Sequence, residues 1–305
     1  MSGPLPGGVD VVFRRQPGLL AVLFLLARDV AGGRCEDGKV TSASGPVLQR
    51  SSALTQFILA PNPGPMSLDG TNSYVLRGPG SAGAVVLDPG PLDEAHLQAL
   101  AGAGPVELIL ITHRHADHTA GSARLHQLTG APVRAADPVH CHGSGTALQD
   151  GGTIRAAGLE IGVVATPGHT SDSVCFHLPG DGPQGSVLTG DTILGRGTTV
   201  LDYPDGTLGD YLPSLDRLES LGSATVLPAH GPVLPSLEAI VRAYRDHRQE
   251  RLSQIRATLD RLGRDAAVGE VADAVYSDVG PSVRRAAEMS VAAQLDYLRG
   301  GAARQ

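Results

Sequence analysis

The chain has 305 residues, 41% of them hydrophobic and 18% charged, enough for one large core plus an appendage and too apolar for a disordered polymer. Aromatic residues make up only 3%, with no tryptophan, and the net charge is −7, so neither a base-stacking platform nor the cation excess of a general nucleic-acid binder is present. The charge is uneven: residues 1–237 hold 13 basic and 21 acidic side chains, whereas residues 238–305 hold 11 and 10. Three cysteines, Cys35, Cys141 and Cys175, form no CxxC pair and are odd in number, which predicts no disulfide framework and suits a reducing cytoplasm.

In chain order, residues 1–44 read as a poorly defined N-terminal extension. Its apolar block, residues 18–27, follows Arg14-Arg15 but is shorter than the roughly 20 residues of a membrane span. Arg28-Asp29 stands where an export signal would place small residues, so a loosely ordered extension is expected rather than export, with no membrane contact. Residues 73–76 and 84–87 read as paired strands, the second ended by Asp88-Pro89-Gly90, and residues 93–103 read as a helix. Strands and helices then alternate through His230, as in an α/β fold. Residues 196–210 form a Gly- and Asp-rich loop. Ser236 is positioned to cap a long helix whose stripe of Leu237, Val241, Tyr244, Leu252, Ile255, Leu259 and Leu262 stops at Gly263. Two further helices are predicted, about residues 268–276 and 281–298.

The chemistry is concentrated in His113-Arg114-His115-Ala116-Asp117-His118, four potential metal ligands within six residues, just after the apolar run 106–111. Two imidazoles at i and i+2 on an extended segment can point the same way, and Asp117 with His118 reach round from the following turn. The competing reading is a polar loop before a helix, with Asp117 or Thr119 as N-cap. Three more donors each follow an apolar, β-rich run: His169 after 159–166, Asp191 after 187–189 and His230 after 225–227. Each alone could be a turn or capping residue. Together they predict that strands of one sheet deliver seven ligands to one rim. His113, His115 and His169 would hold one divalent ion, Asp117, His118 and His230 a second, and Asp191 would bridge them. His96, His126, His140, His142, His177 and His247 fall outside this pattern. His140-Cys141-His142 reads as a solvated loop, and Cys175 as a small buried residue.

The stretches Thr112-His113-Arg114-His115-Ala116-Asp117-His118, Gly168-His169-Thr170, Gly190-Asp191 and Ala229-His230-Gly231 resemble the metallo-β-lactamase superfamily. The resemblance implies an αββα sandwich with a binuclear site, usually zinc, in a cleft along one edge. Residues 62–74 and 190–199 are similar to the branch of lactamase-β-like endoribonucleases, with glyoxalase II a more distant relative. It further implies a catalytic domain over 45–237 and a small helical, winged-helix-like appendage over 238–305. An aspartate at 191 is what thioesterases and phosphodiesterases of the family keep and true β-lactamases generally lack, which disfavours antibiotic hydrolysis. His115 stands where the flavodiiron branch has glutamate; single-iron dioxygenase relatives share the His113 to His118 motif.

The expected mechanism is hydrolysis by a hydroxide shared between two metal ions, with Asp117 positioning it. The leading expectation is an ester, thioester or similar small acyl substrate. An endoribonuclease cleaving single-stranded RNA is the alternative, and a non-catalytic binding protein with structural metals the third.

Overall fold

The computed structural model describes residues 46–277, 280 and 283–300. The expectations for residues 1–44 and for Cys35 lie outside the described residues. Eleven strands form two sheets. The first is built, in spatial order, from β1 (Gln49–Arg50), β2 (Thr55–Leu59), β3 (Asn72–Leu76), β4 (Ala84–Leu87), β5 (Val106–Leu110) and β6 (Val133–Arg134). The second runs β11 (Thr225–Pro228), β10 (Ser186–Gly190), β9 (Val174–Leu178), β8 (Leu159–Ala165) and β7 (Thr153–Ala156). Most neighbours are antiparallel; β4 with β5, β5 with β6 and β10 with β11 are parallel.

Period-two alternation in the apolar strands makes this a four-layer molecule. Val85 and Leu87 of β4, Leu108 and Leu110 of β5, and Phe176 and Leu178 of β9 point into one core between the sheets. The intervening Ala84, Val86 and Ile109 face outward under α1 (Glu94–Ala101) and, past the short α2 (Ala116–Thr119), under α3 (Ser122–Thr129). Cys175, Val187 and Val226 face the other way, under α4 (Leu208–Glu219) and α5 (Leu237–Leu262). Both sheet faces are therefore covered, and the αββα expectation holds.

Capping follows the sequence signals. Asp93 accepts from the His96 amide at 2.8 Å, Thr207 from Asp210 and Ser236 from Ala239, while Gly263 ends α5 at φ 101°. The predicted loop from 196 therefore stops at Thr207, because its hydroxyl starts a helix there. Helices α6 (Val268–Val275) and α7 (Arg284–Leu298) pack on the far half of α5 through Ile255, Val271, Val291 and Leu295. Each such side chain, almost fully buried, contributes about 1.5–3 kcal/mol. The appendage is helical as expected, but no strand follows Pro228 among the described residues, so no wing is seen there. No helix among them is long and apolar enough to cross a membrane.

Candidate metal centre

All seven predicted donors meet at one edge of the sandwich, but not by the route expected. His113 to His118 leave the end of β5 in the first sheet, whereas His169, Asp191 and His230 follow β8, β10 and β11 in the second. One sheet does not supply the rim. Two sheets do, because both present strand ends along the same edge and the loops converge across the gap. Glycine permits the approach: Gly190 has φ 50°, and a Cβ there would lie 2.8 Å from Thr112.

The donors fall into two groups. His113, His115, His169 and Asp191 form one, and Asp117, His118 and His230 the other, each with ligand atoms within 4.8 Å of one another. In the first, His115 Nδ1 lies 3.0 Å from His113 Nε2 and 3.1 Å from His169 Nε2. In the second, Asp117 Oδ2 lies 3.5 Å from His118 Nε2 and 3.3 Å from His230 Nε2. Asp191 faces both. Its Oδ2 is 3.6 Å from His169 Nε2, while its Oδ1 is 3.6 Å from His118 Nε2 and 3.3 Å from His230 Nε2. Neither Asp117 nor Thr119 caps α2, whose N-cap position is His115, so the competing reading of this stretch is not what the fold shows.

Every imidazole has one nitrogen turned into the centre and the other held from behind. His113 Nδ1 is 3.0 Å from Thr112 Oγ1, which itself donates to Asp88 Oδ2. His118 Nδ1 meets the same Asp88 oxygen at 2.9 Å, and His115 Nε2 meets Asp202 at 3.2 Å. His169 Nδ1 points to the Val200 carbonyl at 2.6 Å and His230 Nδ1 to the Gly70 carbonyl at 3.1 Å. Such back partners fix ring orientation and tautomer at metal sites. Asp88 and Asp202 were not singled out from sequence. Asp88 read as a turn residue, and it does sit at φ 48°, but its carboxylate also accepts the Thr112 amide at 2.8 Å. Asp202 lies in the loop after β10, braced by Arg114, which also reaches Asp205 at 3.1 Å.

The segment ahead of β3 has a structural role as well. Asn72 donates from Nδ2 to the carbonyls of Pro228 and Gly231, both at 3.0 Å, and Tyr74 donates to Pro228 O at 2.9 Å. These bonds tie the first sheet to the chain on either side of His230.

Electrostatics separate the two groups. Burial, reinforced by neighbouring imidazoles, holds His113 well below its ordinary pKa, and burial takes His169 down to about 4 against the pull of Asp191. Burial also opposes charge on His230 and His118, but Asp191 with Asp117 raises His230 to about 11, and Asp88 with Asp191 raises His118. Asp191, despite its burial, is held well below the usual carboxylate range by His230 and His118. His118 Nε2, His230 Nε2 and Asp191 Oδ1 are buried with no hydrogen-bond partner among the described residues. Orphaned donors aimed at one point, of imidazole and carboxylate type, fit a divalent cation.

The remaining histidines stay outside. His126 and His142 stack with centroids 6.4 Å apart near a short 3-10 turn, Pro138–His140, and join no donor group. Cys175 is fully buried, its thiol pushed up to about 11 by that burial.

Residues 66–230 match the family model of the metallo-beta-lactamase superfamily. Among curated proteins, an atrochrysone carboxyl ACP thioesterase of Aspergillus fumigatus is 33% identical over 216 residues, covering 68% of this chain and 65% of the relative. The chain thus spans just under two thirds of that enzyme's length. A beta-lactamase-like protein 2 homolog of Caenorhabditis elegans is 31% identical over 271 residues, covering 83% of this chain and 86% of the relative. A solved beta-lactamase domain protein from Burkholderia ambifaria superposes with a TM-score of 0.67 at 22% identity, covering 85% of this chain and 91% of that one, a likeness of fold. The donor geometry, the layered fold and the match across more than half the sequence agree: this chain belongs to the metallo-beta-lactamase superfamily.

Proposed function

We propose that this member of the superfamily hydrolyses a small acyl substrate, an ester or thioester, using two divalent metal ions, most simply zinc. His113, His115 and His169 would hold one ion and Asp117, His118 and His230 the other, with Asp191 available to both. The observation that carries this reading is Asp191, whose two oxygens face different donor groups at 3.3–3.6 Å. Bound there, such ions polarise the substrate oxygen and lower the pKa of water toward neutrality.

The chain's own residues do the rest. Asp117, at the open side of its group and held ionised mainly through His230 and His118 against its burial, orients the attacking water. Asp88 and Asp202 keep the imidazoles aimed. A cavity of about 260 Å³ is lined by His169, Asp191, Met66, Leu68, Leu194 and Val200, and by Val283 and Ala287 at the start of α7. In this reading residues 45–237 form the catalytic domain with α5 as its outer layer, and the described helices beyond α5 border the cleft and limit substrate size. The thioesterase name carried by an Aspergillus relative supports acyl chemistry. That apolar wall favours an acyl group over RNA.

The test combines metal content with turnover. Protein purified without chelator should carry about two zinc ions per chain by elemental mass spectrometry, as two-metal hydrolases do, and hydrolyse members of an acyl ester and thioester panel. Asp191→Ala should lose both metal and activity. A single iron, or a metal-loaded protein inert to the whole panel, would overturn the assignment.

A further inference from the structure

The cavity wall also carries cations. Besides His169 and Asp191 it is lined by Arg248 and Arg251 of α5. Arg248 is 3% exposed, its guanidinium 5.0 Å above the Tyr211 ring, and its Nη2 donates to the Thr199 carbonyl at 2.6 Å. Its Nε has no hydrogen-bond partner among the described residues. Arg251, half-buried, sits 4.9 Å over Tyr276 and donates to Gln254. No carboxylate among the described residues pairs with either arginine. By contrast Arg196, at the same cavity, is engaged by Asp69 at 3.4 Å. Among the described residues the single acid on the cavity wall is Asp191, which is turned to the imidazoles.

A buried arginine without a carboxylate is expensive to keep, since an aromatic face and one carbonyl offset only part of its desolvation. Two cations without a carboxylate, one of them fully buried, on the wall of a largely apolar cavity make a site for an anion.

We infer that the cavity selects acyl groups bearing a terminal carboxylate, which Arg251 and Arg248 bind while the acyl carbonyl lies at His169 and Asp191. This rests on the acyl-hydrolase reading above. The short apolar wall takes the methylene chain, and the arginines supply charge-assisted bonds across a region of low dielectric. A phosphate on the thiol side of a carrier is the other anion such cations would accept, and the substrates below lack one.

The experiment compares N-acetylcysteamine thioesters, which carry no charge on the thiol half: glutaryl against its methyl ester. Wild type should favour the glutaryl thioester at least tenfold in kcat/KM, and Arg251→Met should bring that ratio toward one. Equal rates in wild type, or a ratio unmoved by Arg251→Met, would overturn the proposal. Should neither thioester be hydrolysed, isothermal titration decides it separately. Pentanoate should bind at least tenfold more tightly than pentanamide, with the difference lost in Arg251→Met; equal affinities would overturn the carboxylate site whatever the reaction proves to be. Arg248→Met is the companion variant, with its fold checked by circular dichroism.

Discussion

Two donor groups share Asp191 yet are prepared differently for a cation. In the group of His113, His115 and His169, burial and crowding strip protons from His113 and His169, leaving neutral imidazoles ready to donate. In the group of Asp117, His118 and His230, the carboxylates outweigh burial: Asp191 with Asp117 raises His230 to about 11, and Asp88 with Asp191 raises His118. A cation entering the first meets His113 and His169 with little tendency to hold a proton, whereas one entering the second competes with the proton that the carboxylates favour on His230. The lesson is that ligand type alone does not set a site's readiness; the back partner and shared charge do.

The largest test of this contrast removes the shared group. Asp191→Ala should empty both positions and lower kcat/KM on the order of 10³-fold, the scale seen when a principal charge-stabilising group is lost. Metal analysis showing one ion retained would break the bridging assignment. Next, Asp88→Asn keeps a side chain that tolerates the φ of 48° but weakens the support behind His118 and Thr112. Metal affinity should fall about 10–100-fold, more in the carboxylate-rich group, by competition with a chromophoric chelator. Asp202→Asn should cost less, about tenfold at the lower end of that range, because its carboxylate is about one third exposed and backs only His115. Unequal occupancy of the two groups in these two variants would sharpen the comparison; identical losses would dissolve it.

The smallest effects are protonic. Adding zinc to chelator-treated protein near neutral pH should release protons into weak buffer, followed with an indicator dye; uptake without release would contradict the charge assigned to His230. The stability of chelator-treated protein should also depend on pH. His230, raised from 6.5 to about 11, contributes stability fully present below 6.5 and lost as pH climbs toward 11. His169, lowered to about 4, stays neutral when folded, so stability falls as pH drops from 6.5 toward 4. Thermal melts should peak near neutrality, and a flat profile from pH 5 to 9 would count against both assignments.

Much of this was legible in sequence because the signals are local. The strands β3 and β4, the capped helix from Ser236 to Gly263, and the spacing of His113, His115, Asp117 and His118 each need only neighbouring residues to be read. Asp88 and Asp202 were not legible, because a carboxylate behind an imidazole is recognised only when the two are brought together from 30 and 87 positions apart. The prediction of a single sheet failed for the same reason: strand-end position is written in the chain, and sheet membership is a matter of pairing.

The cavity shows the limit most clearly. Leu252, Ile255 and Arg248 all belong to one amphipathic helix, and its apolar period said which face would be buried. That period places Arg248 on the same face, four residues from both Tyr244 and Leu252, but could not say that it would stay there without a carboxylate, nor that Val283 and Ala287 would line one cavity with Met66 and Asp191. The sequence by itself determined the donor types, their strand-end placement and the family. Only the tertiary structure decided which donors share an ion, which carboxylates stand behind them and what charge faces the substrate, because those depend on distances between segments far apart in the chain.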